Sequence, residues 1–456
     1  MTRYLHLFFI GFGASLAFLD SSVNVAFPAI TANFEITKPE IIWLVITFAL
    51  PTISLMLYFG RTADRVGHRF IFQVGLAFSL IAFGATTLAP TYDLFLWGRI
   101  VQGVGAAAII GAGMALARSL FDETYRARVI GYYVLMIAFA GALGPFIGGL
   151  MVEWQGWSGV FSFRAVIAAL AFFLIFSLPK DATAMPGHRV VAMIVVMAFT
   201  GATGILFNLS PDWLRGFVNV ILVGLGLYGI FDFFRLLLAG SELFEKFSKT
   251  DFVIFVLSNF RSIFIHFAAS SVIFIIPFYL KDWRVLDYKS AGLALAFYPF
   301  GIAVVASQAR RLFAKFEPRR IGNWGMIALL AGLWLTGGWT TTTATALLWS
   351  NLFLIGAGTG LFHISLNHYI IGVYGPEHRG TAGALIEFTR TVGILSAALI
   401  LLPLFTILLS TASVTDPEVQ FFYAFELSFK FISALPFALL VIAGIWGYIF
   451  CGIEEP

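Results

Sequence analysis

The chain has 456 residues, of which 60% are hydrophobic and only 11% are charged. A soluble globular domain carries about 25% charged residues, so this composition excludes a soluble protein and indicates one that lives in a membrane. The net charge of +4 does not indicate nucleic-acid binding, and we expect none. The distribution of the charged residues over the loops bears on membrane topology instead.

The apolar segments are mostly long enough for a helix to cross the hydrocarbon, which takes about 20 residues. The short alternating segments of a transmembrane barrel are absent. The single cysteine, Cys451, excludes a disulfide framework. We therefore predict an all-α polytopic protein with fourteen transmembrane helices. The predicted spans are 5–28, 40–60, 69–90, 93–117, 128–152, 157–178, 188–208, 216–238, 252–280, 288–308, 319–337, 344–371, 380–408 and 430–452.

The first span contains a carboxylate, Asp20, within an otherwise apolar segment. A charge in hydrocarbon costs at least about 2.5–3.5 kcal/mol, so such a residue faces protein or water. Asp20 is therefore a candidate for proton or cation chemistry, or else a carboxylate that a nearby arginine neutralises for structural reasons. Asn24 follows it by four residues, and we expect its amide to donate a hydrogen bond to Asp20.

The loop after the second span combines two glycines with three charged residues. The glycines allow a tight turn between helices, and the charges are expected either to lock onto a facing helix end or simply to maintain topology. These residues are Gly60, Asp64, Arg65, Gly67 and Arg69.

The fourth span carries Arg99 and Gln102. A guanidinium stays charged under physiological conditions, so a buried one needs a carboxylate or a set of carbonyl groups. We expect Arg99 to contact Asp20, either as a static pair or as a contact that breaks when Asp20 binds a proton.

The fifth span contains a cluster of glycines around one proline. Glycine allows helix backbones to approach closely, and proline removes a backbone donor and favours a kink. This pattern predicts either a bend that seals one side of a pathway or ordinary helix packing. The residues are Gly141, Gly144, Pro145, Gly148 and Gly149.

The later spans hold further polar residues. Glu387 and Arg390 are three residues apart in the thirteenth span, where they neutralise each other, or Glu387 is a second titrating group or binds a cationic substrate. His363 in the twelfth span is a candidate for proton transfer, because histidine titrates near neutrality. We favour a packing role for His266 in the ninth span.

The loops show an asymmetric distribution of Lys and Arg, with 18 on one predicted side and 6 on the other. Because cytoplasmic loops are enriched in these residues, we expect both termini in the cytoplasm. The pattern divides the chain into a six-helix bundle at 1–182, a two-helix insertion with linkers at 183–249, and a second six-helix bundle at 250–456. Recurrent glycine and basic motifs indicate that the two bundles are distant copies.

Together these motifs resemble the major facilitator superfamily, and specifically its fourteen-span branch of drug/proton antiporters. Members of that branch export quaternary ammonium compounds and other hydrophobic molecules. The resemblance implies that Arg99 and Gln102 belong to proton-linked transport. We assign Asp20, Arg99 and Glu387 to proton coupling and place Asn24, Gln102, Arg390 and His363 along the substrate or proton pathway, although Glu387 departs from the family, which commonly has an asparagine ahead of this arginine. It also implies a cytoplasmic gate, with Asp64 at the start of the thirteenth span near Gly380 and with Arg65 or Arg69 paired to Asp122 or Glu123.

From these features we predict a proton-coupled efflux transporter of hydrophobic or cationic small molecules that works by alternating access in the cell membrane, most simply a bacterial inner membrane. The alternatives are a specific exporter of an endogenous metabolite or lipid on the same scaffold and a membrane-embedded enzyme. The expected partners are the small-molecule substrate, protons and the lipid bilayer. No cofactor or metal is expected, and a monomer is compatible with the sequence.

Overall fold

The computed structural model describes residues 2–121, 123–179, 249–373, 379–411 and 416–451. All regular elements in these ranges are helical, as expected where hydrocarbon leaves backbone groups no partner outside their own helix. The chain divides into two compact units, Met1–Ala239 and Gly240–Pro456.

The first unit begins with a broken helix. Two α-helices are separated by a 3₁₀ segment, Leu19–Ala26, which contains Asp20. A second 3₁₀ turn, Lys38–Ile41, precedes α3, and a third, Ile175–Ser177, follows α7. The α-helices of this unit are α1 Thr2–Phe18, α2 Phe27–Phe34, α3 Ile42–Val66, α4 His68–Thr87, α5 Tyr92–Ser119, α6 Glu123–Gln155 and α7 Gly159–Leu174.

The second unit also begins with a broken helix, in which two short helices and a π-helical turn, Tyr279–Trp283, follow the first long helix. Its α-helices are α8 Lys249–Ala269, α9 Ser271–Phe274, α10 Ile276–Phe278, α11 Tyr288–Phe313, α12 Pro318–Gly337, α13 Thr345–Val373, α14 Arg379–Thr411 and α15 Pro417–Cys451.

Helical segments cover twelve of the fourteen predicted spans, and the spans predicted at 188–208 and 216–238 lie outside the described residues. The last helix begins at Pro417, well before the predicted start at 430, because the charges of Glu418 and Glu426 do not interrupt the helix. Ten stretches of the described chain are long and apolar enough to cross a membrane. The protein is therefore a multi-pass membrane protein, whereas the total of fourteen spans and the orientation of the termini stay predictions.

In the first unit, α5 packs between α3 and α4 through glycines on two of its faces. A Cβ added to Gly103 would clash with the carbonyl of Phe48 on α3. A Cβ on Gly105 would lie 2.8 Å from the carbonyl oxygen of Gly75 on α4. These close backbone contacts hold α5, and with it Arg99 and Gln102, in the interior of the unit.

The second unit repeats this arrangement with α13 between α11 and α12. A Cβ on Gly356 would clash with the carbonyl of Tyr298 on α11, and a Cβ on Gly358 would lie 2.7 Å from the carbonyl oxygen of Gly325 on α12. The same glycine spacing thus makes the same three-helix contact in both units, in keeping with the predicted repeat. The proposed 183–249 insertion is not described apart from its last residue.

Candidate functional site

Asp20 lies where the first membrane helix changes from α to 3₁₀ geometry. Its side chain is 20% exposed, whereas the two arginines in contact with it are 1% and 0% exposed. Asp20 is therefore more exposed at the surface of the unit than either arginine. We call Asp20, Arg99, Gln102 and Arg164 the Asp20 cluster.

Arg99 from α5 makes a bidentate contact with Asp20. Its Nη1 donates to Oδ1 at 2.7 Å and its Nη2 donates to Oδ2 at 2.9 Å. The remaining Nε donates to the carbonyl of Leu44 at 3.1 Å, and the guanidinium carbon lies 4.6 Å from the centre of the Phe48 ring. Paired hydrogen bonds of this kind are among the strongest that proteins form. The contact expected between Asp20 and Arg99 is present.

Gln102 completes a closed ring of hydrogen bonds. Its amide oxygen accepts from Arg99 Nη1 at 2.6 Å, and its Nε2 donates to Asp20 Oδ1 at 3.0 Å. Three residues along α5 separate it from Arg99, which places both side chains on the same face of the helix. The amide therefore orients the arginine and the carboxylate at once.

Arg164 from α7 is a further member of the cluster, and the sequence analysis gave it no role. Its Nη2 donates to Asp20 Oδ1 at 3.1 Å and to the carbonyl of Leu16 at 3.4 Å. Its guanidinium carbon lies 4.5 Å from the centre of the Phe83 ring. The signal that identifies it is a lone charge in the apolar sixth span, the same signal that pointed to Asp20.

The glycine-rich part of α6 packs directly against the 3₁₀ segment that carries Asp20. A Cβ on Gly144 would clash with the Ser21 hydroxyl, and one on Gly148 would clash with the carbonyl of Ser22. The Ser21 hydroxyl donates to the carbonyl of Gly141 at 3.0 Å. Gly141, Gly144 and Gly148 of this motif therefore contact the two serines that follow the carboxylate, and Pro145 and Gly149 lie on the same helix.

Asn24 does not hydrogen bond to Asp20 in the structure, contrary to the prediction. The hydrogen bonds of the Asp20 carboxylate come from Arg99, Gln102 and Arg164. The prediction assumed an α-helix, in which residues four apart face each other, but Leu19–Ala26 is a 3₁₀ helix with three residues per turn. A place for Asn24 along the pathway stays a prediction.

The loop motif forms the tight turn between α3 and α4. Gly67 has a φ of 107°, which favours glycine, and it ends one helix and begins the next. Asp64 is exposed and contacts His68 Nε2 at 3.2 Å, while Arg65 is exposed as well. Gly60 lies within α3, where a Cβ would be 3.6 Å from the carbonyl oxygen of Gly111 on α5.

Arg69 binds the end of the sixth predicted span. Its Nη2 donates to the carbonyl of Phe176 at 2.9 Å, and its Nη1 donates to the carbonyl of Leu178. A cation placed at a helix C-terminus satisfies carbonyls that have no partner in the helix. The expected pairing of Arg65 or Arg69 with Asp122 or Glu123 falls on side chains outside the described set, and the contact of Asp64 with the thirteenth span stays a prediction.

A second polar cluster lies in the second unit and contains Ser262, His266, His363 and Thr389, which we call the His266 cluster. His266 Nδ1 donates to the carbonyl of Ser262 at 2.8 Å, and the rings of His266 and His363 meet edge to face with centres 5.8 Å apart. The Thr389 hydroxyl donates to the Ser262 hydroxyl at 3.1 Å. Three helices, α8, α13 and α14, thus share this network of hydroxyl and imidazole groups.

Glu387 and Arg390 both lie on α14, one turn apart. The side chain of Glu387 is not among those described, so its pairing with Arg390 is not decided. Within the described ranges, no group of three or more His, Cys, Asp or Glu side chains is arranged to hold a metal ion.

Comparison with known proteins places these features in a family. The family model described as Major Facilitator Superfamily matches residues 8–398. The riboflavin transporter RibZ of Clostridioides difficile is 26% identical over 400 residues, covering 86% of this chain and 85% of the relative. A methylenomycin A resistance protein of Streptomyces coelicolor is 27% identical over 406 residues, covering 84% and 81% respectively.

Solved structures agree on the fold. A D-xylose–proton symporter matches with a TM-score of 0.68 and 14% identity over 97% of both chains. A POT family transporter in complex with a thioalcohol-conjugated peptide matches with a TM-score of 0.73 and 13% identity, over 97% of this chain and 95% of that one. Because the family model spans most of the sequence, the chain is a multi-pass transporter that belongs to the Major Facilitator Superfamily.

Proposed function

We propose that this transporter is a proton-coupled exporter of hydrophobic small molecules, with Asp20 as the group that binds and releases the proton. The observation that carries the proposal is the bidentate contact between Asp20 and Arg99, closed by Gln102, inside an apolar helical unit. Ionisable residues at membrane depth commonly mark proton or substrate pathways.

Proton uptake at Asp20 would weaken its contacts with the two arginines, because a neutral carboxyl no longer forms a charge-assisted pair. The segment around Asp20 packs against the glycines of α6, so a movement of that segment would displace α6. This supports coupling between the proton site and a helix movement. Alternating access between the two units would then carry substrate and proton in opposite directions.

The charge of the cluster refines the substrate class. With Asp20 ionised, one negative and two positive side chains leave a net charge of +1. A cation is repelled by a net positive charge in a medium of low dielectric constant. Neutral hydrophobic compounds are therefore better suited to this site than cationic ones, whose binding would have to rely on other residues such as Glu387.

Relatives support export of small molecules without agreeing on one substrate. Two that match over most of the chain are named as a methylenomycin A resistance protein and a puromycin resistance protein. Another is named as a riboflavin transporter, which favours a second candidate function, the transport of one endogenous compound. Transport of riboflavin but not of unrelated dyes would favour that candidate, and a lipid substrate is the remaining version of it.

The test is transport in proteoliposomes that contain the full chain, with an imposed pH gradient and two fluorescent probes that carry no net charge, riboflavin and the hydrophobic dye N-phenyl-1-naphthylamine. We expect substrate movement driven by the gradient in the unaltered protein and its loss in Asp20→Asn. Asp287→Asn is the matched control, because it makes the same chemical change in a loop carboxylate and asparagine is as good an N-cap as aspartate.

The readout separates coupling from folding, because gradient-driven transport is compared with exchange at equal pH on the two sides. Movement of either probe at the same gradient-driven rate in Asp20→Asn and in the unaltered chain would contradict the proposal.

A further inference from the structure

Arg164 is a second cation on a carboxylate that already has one. Arg99 alone neutralises Asp20 through two hydrogen bonds, with Gln102 filling a further acceptor site. Arg164 on α7 adds a further hydrogen bond, which its Nη2 donates to Asp20 Oδ1 at 3.1 Å. Simple charge neutralisation does not require it, so its presence calls for another explanation.

The guanidinium of Arg164 is held in place independently of Asp20. It is fully buried, it stacks on Phe83 with Phe161 at 5.9 Å, and it reaches the carbonyl of Leu16. Among the described residues, Asp20 is the one acidic side chain that contacts it. Arg164 therefore remains beside Asp20 as a positive charge whether or not the carboxyl carries a proton.

The two oxygens of Asp20 are used unequally. Oδ1 accepts from Arg99, Gln102 and Arg164, whereas Oδ2 accepts from Arg99. A proton arriving at the carboxylate therefore finds more room at Oδ2. Protonation of Asp20 raises the net charge of the cluster from +1 to +2. In a simple Asp–Arg pair the net charge would rise from 0 to +1, and the additional positive charge here is that of Arg164.

Other charges near Asp20 do not offset Arg164. The segments packed around Leu19–Ala26 are α1, α2, α6 and α7, with α5 contributing Arg99 and Gln102. The sequence has no Asp, Glu, His, Lys or Arg at 7–18, in α2 or at 129–152. On the helices that surround the carboxylate, Arg99 and Arg164 are thus the charges that face it.

We propose that Arg164 is a positioning residue that competes with the proton for Asp20 and thereby sets the pH at which the transporter loads its proton. A nearby positive charge favours the ionised form of a carboxylate, by about one to three pH units for a contact of this length. The inference rests on the proposed function, because proton loading matters only in a proton-coupled transporter. Its test measures the titration of Asp20 and does not depend on transport.

The test titrates Asp20 itself in the purified full chain in detergent. The infrared absorption of the protonated carboxyl is assigned as the band that Asp20→Asn abolishes, and its midpoint is measured against pH. In Arg164→Gln we expect that midpoint to rise by about one pH unit or more. Arg164→Lys, which retains the charge, should restore a value near that of the unaltered chain.

Two further comparisons keep the result specific. Arg261→Gln makes the same change at an intramembrane arginine of the other unit and should leave the midpoint in place. Thermal unfolding of each variant shows whether the protein is folded at the pH values used, and Arg164→Met provides a second neutral replacement if Arg164→Gln does not fold.

An Asp20 midpoint that is the same in Arg164→Gln, or in Arg164→Met, as in the unaltered chain would overturn the inference, and so would a carboxyl that stays ionised in all of them. Either result leaves the proposed function to be judged by gradient-driven transport. Conversely, uncoupled transport would refute the proposed function without touching the titration.

Discussion

The two units of the protein have a similar helix packing but different buried polar side chains. In each, the first long helix is broken, and a central helix packs between two neighbours through a Gly-x-Gly pair. When the Gly-x-Gly pair that begins at Gly103 on α5 is aligned with the pair that begins at Gly356 on α13, two residues of α13 correspond to the polar residues of α5. Leu352 corresponds to Arg99 and Ile355 to Gln102, and both are buried and apolar. The repeat thus conserves backbone contacts, and only the first unit uses this position for charge.

The polar clusters differ accordingly. The Asp20 cluster joins three formal charges and one amide across α5, α7 and the 3₁₀ segment. The His266 cluster joins hydroxyl and imidazole groups with a backbone carbonyl. Breaking a buried charge pair is far more costly than removing a neutral hydrogen bond. Substitutions in the Asp20 cluster should therefore lower the free energy of unfolding clearly more than substitutions in the His266 cluster.

The largest effect is expected from Arg99→Leu, which gives α5 the residue that α13 has at the corresponding position. It removes the bidentate partner of Asp20 and the hydrogen bond that Arg99 Nε donates to the carbonyl of Leu44. We expect a loss of about 3–5 kcal/mol in the free energy of unfolding, together with loss of transport. Thermal or denaturant unfolding in detergent measures the first, and proteoliposome transport measures the second. Unchanged stability would show that the pair is not what holds this region.

A smaller but sharp effect is expected at the contact between α6 and the Asp20 segment. Gly148→Val places a side chain against the backbone of Ser22. Overpacking of this kind costs about 1–3 kcal/mol, and the shift of the 3₁₀ segment should reduce transport as well. Gly131→Val is the matched control on the same helix, because a Cβ there meets nothing within 4 Å. Equal effects of the two substitutions would contradict the close packing.

In the second unit, Ser262→Ala removes a hydroxyl that accepts from Thr389 and lies beside His266. Because the hydrogen bond that is lost joins two hydroxyl groups, we expect a loss of only about 1–2 kcal/mol in stability. The pH dependence of transport should remain that of the unaltered chain. A shift in that pH dependence would instead assign the His266 cluster a share in proton coupling, as first considered for His363.

The smallest effect is expected at Asp287, an exposed carboxylate that caps α11 by accepting from the backbone N–H of Ser290 at 3.0 Å. The hydrogen bonds with Ser290 hold the pKa of Asp287 below its usual value. Asp287→Ala should cost about 0.5–1 kcal/mol in the free energy of unfolding and leave transport unaffected.

The sign of the pH dependence follows from that lowered pKa. The stabilisation is present above the unfolded-state pKa of aspartate, about 3.9, and is lost as the pH falls through the lower folded-state pKa. The difference in melting temperature between Asp287→Ala and the unaltered chain should therefore be constant near neutrality and shrink only in acid. A difference that varies around pH 7 would indicate another cause.

Much of the helical architecture was predictable, because uninterrupted apolar segments of the right length have few alternatives in a membrane. The same reasoning identified Asp20 and Arg99, since buried charges are costly and must meet. It also left Arg164 without a role, although its signal was of the same kind, because its partner depends on which helix stands beside the first one. Asn24 was misjudged because 3₁₀ geometry cannot be read from that apolar segment.

The sequence by itself determined that this chain is a helical, multi-pass membrane protein with isolated charges in its interior, because hydrophobic length and the cost of buried charge are properties of the residues alone. Only the tertiary structure decided that two arginines from different helices share one carboxylate and that the glycines of α6 contact the same segment. Those contacts join residues 79 to 144 positions apart, and no local pattern encodes which faces of separate helices pack together.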